Sequence, residues 1–252
     1  MGTNEKYILS SLDNALTVLN LFVENDELSP ADISRLTGIN RSTVFRFLVT
    51  LENRGYIMKD DNGRYRLGIK IFTLGQLFYN RMELTAQFHK YLVKITERTG
   101  ETTHLSIMDD ATHITFIDKA VGSLWLKMDT PLGFRQYAHL TATGKAILAF
   151  ESEQFINRYI KNAEFSERTA LSIKDAGELL RQLDVIRERG YAVDNEECEP
   201  GLTCCGVPLI DAAGKPIAAI SSSGPTTRMK QKEEEIIGLL RNTAEDIGKI
   251  LK

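Results

Sequence analysis

The pattern helix, turn, helix and β-hairpin over residues 28–67 constrains the fold more than any other feature of the chain. Ser29 is followed by a proline, and this pair is typical of an N-cap and the first helical position. Gly38 supplies the turn, and a second helix is predicted from Arg41. Two short apolar segments flank residues 60–63, which end in glycine and predict a hairpin. This order predicts a winged helix-turn-helix, a fold that places its second helix in the DNA major groove.

The charge of this segment supports double-stranded DNA as the partner. Between Arg35 and Arg66, seven basic residues outnumber three acidic ones by four, whereas the whole chain carries a formal net charge of −3. Positive charge confined to one module is typical of a protein that binds selected operators rather than polyanions in general. The residues expected to face DNA are Arg41, Ser42, Thr43, Arg46 and Arg64. The alternative for such a module is a contact with another protein.

The composition indicates an ordinary globular protein with one or two domains. The chain has 252 residues, of which 42% are hydrophobic. It has neither a run of about 18 apolar residues nor a basic and apolar leader, so we expect no membrane partner and no export. Its three cysteines are an odd number close together, which argues against a disulfide framework. We therefore expect a cytoplasmic location.

Apolar helices are predicted on both sides of the winged module. In the helix predicted over residues 12–25, the stripe expected to pack on the module consists of Leu12, Leu16, Leu19 and Val23. Further apolar residues widen this surface, and the pattern leaves core packing and a dimer contact as equal alternatives. Residues 69–81 are apolar on more than one side, which is typical of a helix buried between neighbours. We interpret this segment as a linker that contacts its copy in a homodimer.

The remainder of the chain alternates long helices with short strands. Strand patterns occupy residues 103–108, 113–118, 124–128, 207–210 and 217–221, and helix patterns occupy 84–98, 144–160, 176–189 and 236–251. Short hairpins between long helices predict an α+β domain with an antiparallel sheet. We therefore expect a winged domain over residues 6–68, a linker helix over 69–82 and a second domain over 83–252.

Short motifs along the chain carry a resemblance to a known family. Besides the winged module, they are residues 11–15 (SLDNA), 117–119 (IDK), 141–146 (TATGKA), 189–194 (RGYAVD), 201–204 (GLTC) and 220–225 (ISSSGP). With these motifs in this order, the chain resembles the IclR family of bacterial transcriptional regulators over nearly its whole length. The resemblance implies a DNA-binding domain, a linker helix, a GAF-like effector-binding domain and dimers that commonly pair into tetramers on DNA.

The resemblance also implies a small-molecule effector pocket in the second domain. The backbone N–H groups of Ala142 and Thr143, just before a helix expected to open at Gly144, suit a carboxylate. The polar side chains that match the family pattern are Asp194, Cys204, Ser221 and Ser223, and the apolar walls are expected to include Leu202, Leu126, Met128 and Trp125. Asp194 is unexpected beside an anion, so either it binds a ligand hydroxyl or it is protonated.

The sequence leaves two alternatives to a ligand-responsive regulator. The side chains that could converge on a metal are His104, Asp194, Cys198 and Cys204, and their spacing matches no compact ligand motif. A metal-sensing regulator of the same architecture is therefore the first alternative. The second is an enzyme with a vestigial helix-turn-helix, but the chain has no nucleophile-and-base pattern and no phosphate-binding loop. We expect no cofactor and no catalytic activity.

Overall fold

The computed structural model describes residues 7–251, which form two compact units, one ending at Met82 and the other beginning at Glu83. The expected three-part division stays a prediction, and its outer limits at residues 6 and 252 lie outside the described residues. None of the helices within residues 7–251 combines the length and the apolar character that a membrane span requires.

The first unit is a winged helix-turn-helix followed by a separate helix. Its elements are α1 (Ser10–Asn20) with a 3₁₀ turn (Leu21–Val23), α2 (Pro30–Thr37), α3 (Arg41–Asn53), the antiparallel strands β1 (Ile57–Lys59) and β2 (Tyr65–Leu67), and α4 (Ile69–Asn80). The predicted helix-turn-helix, wing and linker helix are therefore confirmed as elements.

The boundaries of α2 follow from local chemistry that the sequence displays. The Ser29 hydroxyl accepts a hydrogen bond from the Asp32 N–H at 3.2 Å, and the Asp32 carboxylate accepts one from the Ser29 N–H, so the two residues form a capping box. A hydrogen bond from the Ser29 hydroxyl to the Asp32 carboxylate at 2.7 Å, together with the one from the Ser29 N–H, lowers the pKa of Asp32 to about 2. At the other end, Gly38 adopts the left-handed conformation with φ of 72°, which glycine reaches without steric cost.

The core of this unit corrects the expected packing face of α1. Val18 and Phe22 are buried with residues of α2 and α3, whereas Leu12, Leu16 and Val23 are at least half exposed. Leu19, the remaining member of the predicted stripe, is partly buried against the core. The two faces are adjacent on one helix and both are apolar, so periodicity alone did not show which of them turns inward.

The second unit is built on a six-stranded antiparallel sheet with the order β5-β4-β3-β8-β7-β6. Its elements are α5 (Glu83–Thr99), β3 (Thr102–Met108), β4 (His113–Ala120), β5 (Arg135–Tyr137), a 3₁₀ turn (Ala138–Leu140), α6 (Ala142–Phe150), α7 (Glu153–Asn162), α8 (Ala176–Arg189), β6 (Ala192–Asn195), β7 (Leu202–Ile210), β8 (Pro216–Pro225), α9 (Thr226–Gln231) and α10 (Glu233–Ile250). The predicted α+β class with an antiparallel sheet is confirmed.

Helices cover both faces of this sheet. On one face, the Thr96 hydroxyl of α5 donates to the Thr103 hydroxyl of β3 at 2.9 Å, and α10 packs against α5 and the sheet. On the other face, α6 lies so close to Gly206 of β7 that a Cβ there would come within 2.9 Å of the Ala142 carbonyl carbon. This second face carries an apolar core to which α6, α7 and α8 all contribute.

The strand predicted at residues 124–128 is absent, and an irregular segment over 121–134 takes its place. We call residues 121–134 the lid. Side chains hold the backbone of its middle part: the Thr102 hydroxyl donates to the Met128 carbonyl at 2.6 Å and Arg228 donates to the Leu126 carbonyl at 2.7 Å. Its end is held by backbone hydrogen bonds between Gly133, Phe134 and Phe116 of β4. The third strand of this half of the sheet is β5, which follows the lid.

Candidate effector site and DNA-binding surface

The amino end of α3 carries the predicted DNA-facing residues of the helix. The Asn40 side chain caps the helix by accepting hydrogen bonds from the Thr43 N–H at 2.9 Å and the Ser42 hydroxyl at 2.8 Å. Arg41, Ser42 and Arg46 are exposed, and Thr43 is half-buried. Two guanidinium groups and a hydroxyl on the exposed side of a recognition helix are groups that bind phosphates or base edges.

Phe45 lies on the exposed side of α3, between the two arginines in sequence. The structure leaves 54% of its surface exposed. Phe47, two positions later, packs partly against the core instead. An exposed aromatic ring beside Arg46 adds an apolar contact to the candidate surface.

Arg64 lies on the wing, but its guanidinium group is engaged within the chain. Its Nε is 2.6 Å from a carboxylate oxygen of Glu27, and it also donates to the Glu27 carbonyl at 3.1 Å. The wing exposes two other cationic side chains, Lys59 and Arg66. The sequence could not show that Arg64 is paired, because Glu27 is 37 residues away and meets it only through the fold.

One cavity of the second unit is lined by eight of the ten residues predicted for the effector pocket, and the two that do not line it are Leu126 and Trp125. It lies between α6, the sheet and the lid, and its lining consists of Phe116, Met128, Phe134, Gln136, Thr141, Ala142, Thr143, Asp194, Cys198, Leu202, Cys204, Ser221 and Ser223. The space open to water-sized molecules is only about 30 Å³. The predicted residues thus converge, although α6, β6, β7 and β8 supply them from distant parts of the sequence.

The first turn of α6 faces this cavity. The helix begins at Ala142, two residues earlier than expected, and Thr141 caps it by accepting a hydrogen bond from the Gly144 N–H at 3.0 Å. The N–H groups of Ala142 and Thr143 thus lie in the first turn, where a helix provides no carbonyl partner. The Thr143 hydroxyl is buried and has no hydrogen-bond partner among the described residues. These groups form a cluster of donors suited to an anion.

Asp194 is buried beside these donors. Its carboxyl accepts hydrogen bonds from the N–H groups of Glu197 at 2.8 Å and Cys198 at 3.4 Å. Burial raises the pKa of Asp194 to about 7, against the attraction of the Lys145 ammonium and with the repulsion of the Glu197 carboxylate. Because a proton at this position removes the repulsion between two carboxylates, the site can take an anion.

The strand register explains why Cys204, Ser221 and Ser223 share the cavity. Cys204 lies opposite Ser223 on one side and Asp194 on the other, while Ser221 lies opposite Gly206. Paired residues of neighbouring strands point to the same face, so these side chains form one polar floor. Burial raises the pKa of Cys204 well above its usual range and keeps the thiol neutral.

The four metal candidates do not form a ligand set. Within residues 7–251, no group of three or more His, Cys, Asp or Glu side chains is arranged to hold a metal ion. His104 lies on β3 outside the lining of the cavity that Asp194, Cys198 and Cys204 share. The geometry does not favour the metal-sensing alternative.

The lid supplies the part of the wall that the sequence described incompletely. Met128 lines the cavity as expected, but Leu126 is largely exposed and Trp125 is fully exposed. Phe134 at the far end of the lid and Phe116 of β4 take their places. The strand predicted over 124–128 led to the wrong positions for Leu126 and Trp125, because the side chains of the lid do not alternate as they would on a strand.

Comparison with known proteins agrees with this two-part architecture. The family model of the IclR helix-turn-helix domain matches residues 11–61, and that of the bacterial transcriptional regulator IclR C-terminal domain matches residues 76–249. The chain belongs to the IclR family. Members of this family bind small-molecule effectors through the C-terminal domain, and the chain is a transcriptional regulator rather than an enzyme.

Individual relatives extend over most of the chain. The HTH-type transcriptional regulator XynR of Escherichia coli (strain K12) is 35% identical over 228 residues, which is 90% of each chain. The crystal structure of Thermotoga maritima IclR is 35% identical, covers 97% of this chain and 99% of its own, and has a TM-score of 0.75. An IclR homologue from Microbacterium hydrocarbonoxydans, in complex with 4-hydroxybenzoate, is 21% identical with a TM-score of 0.82 over 96% of this chain and 98% of its own, and shows the shared fold.

Proposed function

We propose that the chain is a ligand-responsive repressor or activator whose C-terminal domain binds a small organic acid or sugar-acid-like metabolite and thereby changes operator binding. The observation that supports this most is the cavity at the first turn of α6, where free backbone donors meet the unpaired Thr143 hydroxyl and the polar floor of β7 and β8. A regulator that binds operators works where the chromosome is, so we place it in the cytoplasm.

The chemistry of the cavity favours a carboxylate over a neutral or cationic ligand. The helix N-terminus offers N–H donors and a positive dipole end, and Ser221 and Ser223 add hydroxyls. Asp194 in its protonated form also donates a hydrogen bond. The cavity is too small for a metabolite as it stands, so binding requires Met128, Phe134 and the lid to move.

The effector proposal is tested by thermal shift and calorimetry on the full chain with hydroxy- and oxo-carboxylates of two to six carbons and with 4-hydroxybenzoate. At least one acid is expected to raise the melting temperature, and Ser221→Ala combined with Ser223→Ala is expected to abolish this while preserving DNA binding. Ser222→Ala is the matched control, because Ser222 lies between them on the opposite face of β8 and outside the cavity. A normal effector response in the double variant would remove the assignment of the pocket.

The DNA-binding proposal rests on the exposed arginines of α3. Arg41→Ala and Arg46→Ala are each expected to weaken binding to the native promoter by about tenfold or more and to reduce its dependence on salt, without changing the melting temperature. Fluorescence anisotropy at fixed salt measures this, with Lys174→Ala in the C-terminal domain as the control. Unchanged affinity in both arginine variants would contradict the recognition-helix assignment.

We also infer that the chain forms homodimers, which can pair into tetramers. The support is an apolar surface of the first unit that the chain leaves uncovered: α4 buries none of its residues, and Ile69, Phe72 and Phe78 are all more than 60% exposed. Leu12 and Leu16 of α1 are exposed as well. Apolar helices of this kind are normally covered by a second protein surface, and a two-fold symmetric copy is the simplest partner.

A further inference from the structure

His104 lies next to the effector cavity with both ring nitrogens unpaired. It is completely buried on β3, and neither Nδ1 nor Nε2 has a hydrogen-bond partner among the described residues. Buried polar groups in native proteins are almost always paired, and an imidazole has two such groups. The two unpaired ring nitrogens therefore point to a hydrogen-bonding group that the described residues do not supply.

The surroundings of His104 are those of the cavity. It lies directly opposite Ser221 in the β3–β8 register, so the two side chains share one face of the sheet. Its ring packs edge-on against the ring of Phe116, with centroids 5.1 Å apart. Both of these neighbours line the cavity.

The lid lies over this face of β3. Thr102, two residues before His104 and on the same face, donates its hydroxyl hydrogen bond to the Met128 carbonyl. Lys119, directly opposite His104 on β4, donates to the Thr130 carbonyl at 2.9 Å and pairs with Asp129. A movement of the lid that enlarges the cavity would therefore also uncover the region around His104.

The charge state of His104 indicates which group it can bind. Burial and the nearby Lys119 ammonium lower its pKa to about 4, against the opposing effect of Asp129. The ring is therefore neutral at physiological pH and has one N–H donor and one acceptor nitrogen. A hydroxyl, which both donates and accepts, matches this pair better than an oxo group or a second carboxylate, which can only accept.

The position of β3 sets the distance between His104 and the proposed carboxylate position at the first turn of α6. That turn lies over β7 at Gly206, and β8 separates β7 from β3, so β7 and β3 are about 10 Å apart. We propose that His104 is a second polar anchor of the effector site, which hydrogen-bonds a hydroxyl group at the end of the acid remote from its carboxylate. The proposal rests on the proposed function and narrows its effector to a hydroxy acid of about four to six carbons.

The test uses acids that differ by one hydroxyl. Calorimetry on the full chain compares butyrate, pentanoate and hexanoate with 4-hydroxybutyrate, 5-hydroxypentanoate and 6-hydroxyhexanoate. At least one hydroxy acid is expected to bind about tenfold more tightly than its parent acid. His104→Phe is expected to remove this preference while leaving the affinity of the parent acid within about twofold.

Two further variants separate a contact with the ligand from a structural role. Ser106→Ala is the matched control, because Ser106 lies on the same strand and face and is also buried and unpaired, but it lies opposite Ala219, which does not line the cavity, whereas His104 lies opposite Ser221, which does. It is expected to keep the preference. His104→Gln retains a donor and an acceptor. Its nitrogen-15 spectrum lacks the His104 ring resonances and thereby identifies them in the wild-type spectrum. The hydroxy acid, but not its parent acid, is expected to shift these resonances.

The outcomes distinguish this inference from the function on which it rests. Two results would overturn the role of His104 without contradicting the effector pocket. In the first, acids bind and His104→Phe keeps the preference for the hydroxy acid. In the second, acids bind to the wild type with no such preference. If His104→Phe does not fold, unshifted His104 ring resonances on addition of a bound hydroxy acid overturn it equally. Failure of every acid to bind would overturn the proposed effector class and the anchor together.

Discussion

At the scale of single residues, Asp194 is the group whose protonation matters most to the effector site. Its folded-state pKa of about 7 lies above its ordinary value of 3.8 because burial disfavours the carboxylate. Between these two values the folded state holds a proton that the unfolded state has released. The contribution of Asp194 to the free energy of unfolding is therefore fully present below pH 3.8. It decreases as the pH rises and is lost once the pH has passed 7.

Asp194→Asn is expected to remove most of this pH dependence. The asparagine side chain resembles the protonated acid and keeps an oxygen that can accept from the Glu197 and Cys198 N–H groups. In the wild type, the free energy of unfolding should fall by on the order of 2 kcal/mol between pH 5 and pH 7 through this group alone. Urea denaturation of both proteins at several pH values measures the difference. Parallel pH profiles would show that Asp194 is ionised in the folded protein.

A second residue-scale prediction concerns Gly206, which gives α6 its close approach to the sheet. A Cβ at this position would lie 2.9 Å from the Ala142 carbonyl carbon and 3.1 Å from the Thr143 nitrogen. Both are backbone atoms and cannot move aside without shifting the first turn of α6. Gly206→Ala is expected to destabilise the fold by about 1–3 kcal/mol and to weaken binding of any acid ligand at least tenfold.

Gly201→Ala is not a useful control for this change, because its φ of 78° strains any side chain. Ala218→Gly on the neighbouring strand is the better comparison, since it perturbs the same sheet without approaching the helix. Calorimetry and urea denaturation together measure both effects. Wild-type affinity in Gly206→Ala would mean that the α6 donors do not bind the acid.

At the scale of elements, a buried ion pair fixes the segment between β6 and β7 against two helices. Lys145 of α6 is completely buried and donates to a carboxylate oxygen of Glu197 at 2.5 Å, to the Val193 carbonyl at 2.7 Å and to the Gln182 side chain of α8 at 2.8 Å. Asp194 lies on β6 just before this segment and accepts hydrogen bonds from the Glu197 and Cys198 N–H groups, so this network positions the acid relative to the first turn of α6.

Lys145→Met is expected to destabilise the protein by about 3–5 kcal/mol, because it leaves the Glu197 carboxylate buried without a counter-charge. Adding Glu197→Gln removes that charge and should restore most of the loss. A double-mutant cycle in urea measures the coupling between the two residues. Additive effects of the two substitutions would show that the pair contributes no net interaction, whatever its geometry.

The sequence predicted elements wherever their ends are determined locally. The N-cap at Ser29, the glycine turn at Gly38 and the hairpin before Arg64 all depend on residues within a few positions, and the structure has each of them. The strand expected over 124–128 failed for the opposite reason. Its backbone is held by Thr102 and Arg228, which come from far along the chain.

The candidate site divides in the same way. Family motifs led to the residues of α6, β6, β7 and β8 that line the cavity, although the sequence alone gave no geometry for them. Phe116 and Phe134 were missed because they carry no polar group and stand outside the motifs. The sequence predicts a DNA contact for Arg64 but does not show its ion pair with Glu27, because that pair forms only in the tertiary structure.

At the scale of the whole molecule, the proposed regulation requires an effector that discriminates between two states. A change from 1:99 to 99:1 in the population competent to bind DNA needs about a 10⁴-fold difference in effector affinity between those states. The tight cavity is consistent with one state that excludes the effector and another, with a displaced lid, that accepts it. In a dimer the two winged domains act on paired half-sites, so their relative position is the variable to be controlled.

The apolar surface of α4 therefore bears on regulation as well as on assembly. Phe72→Glu places a charge in the middle of this exposed surface and is expected to shift the chain from dimer to monomer, because burial of a carboxylate in an apolar interface is strongly unfavourable. Lys70→Glu on the same helix introduces the same acid without removing an apolar side chain. Sedimentation velocity at micromolar concentration measures the oligomeric state. A Phe72→Glu protein that remains dimeric would place the interface elsewhere. A monomer that also loses operator affinity would link assembly to DNA binding, because separate domains bind paired half-sites only weakly.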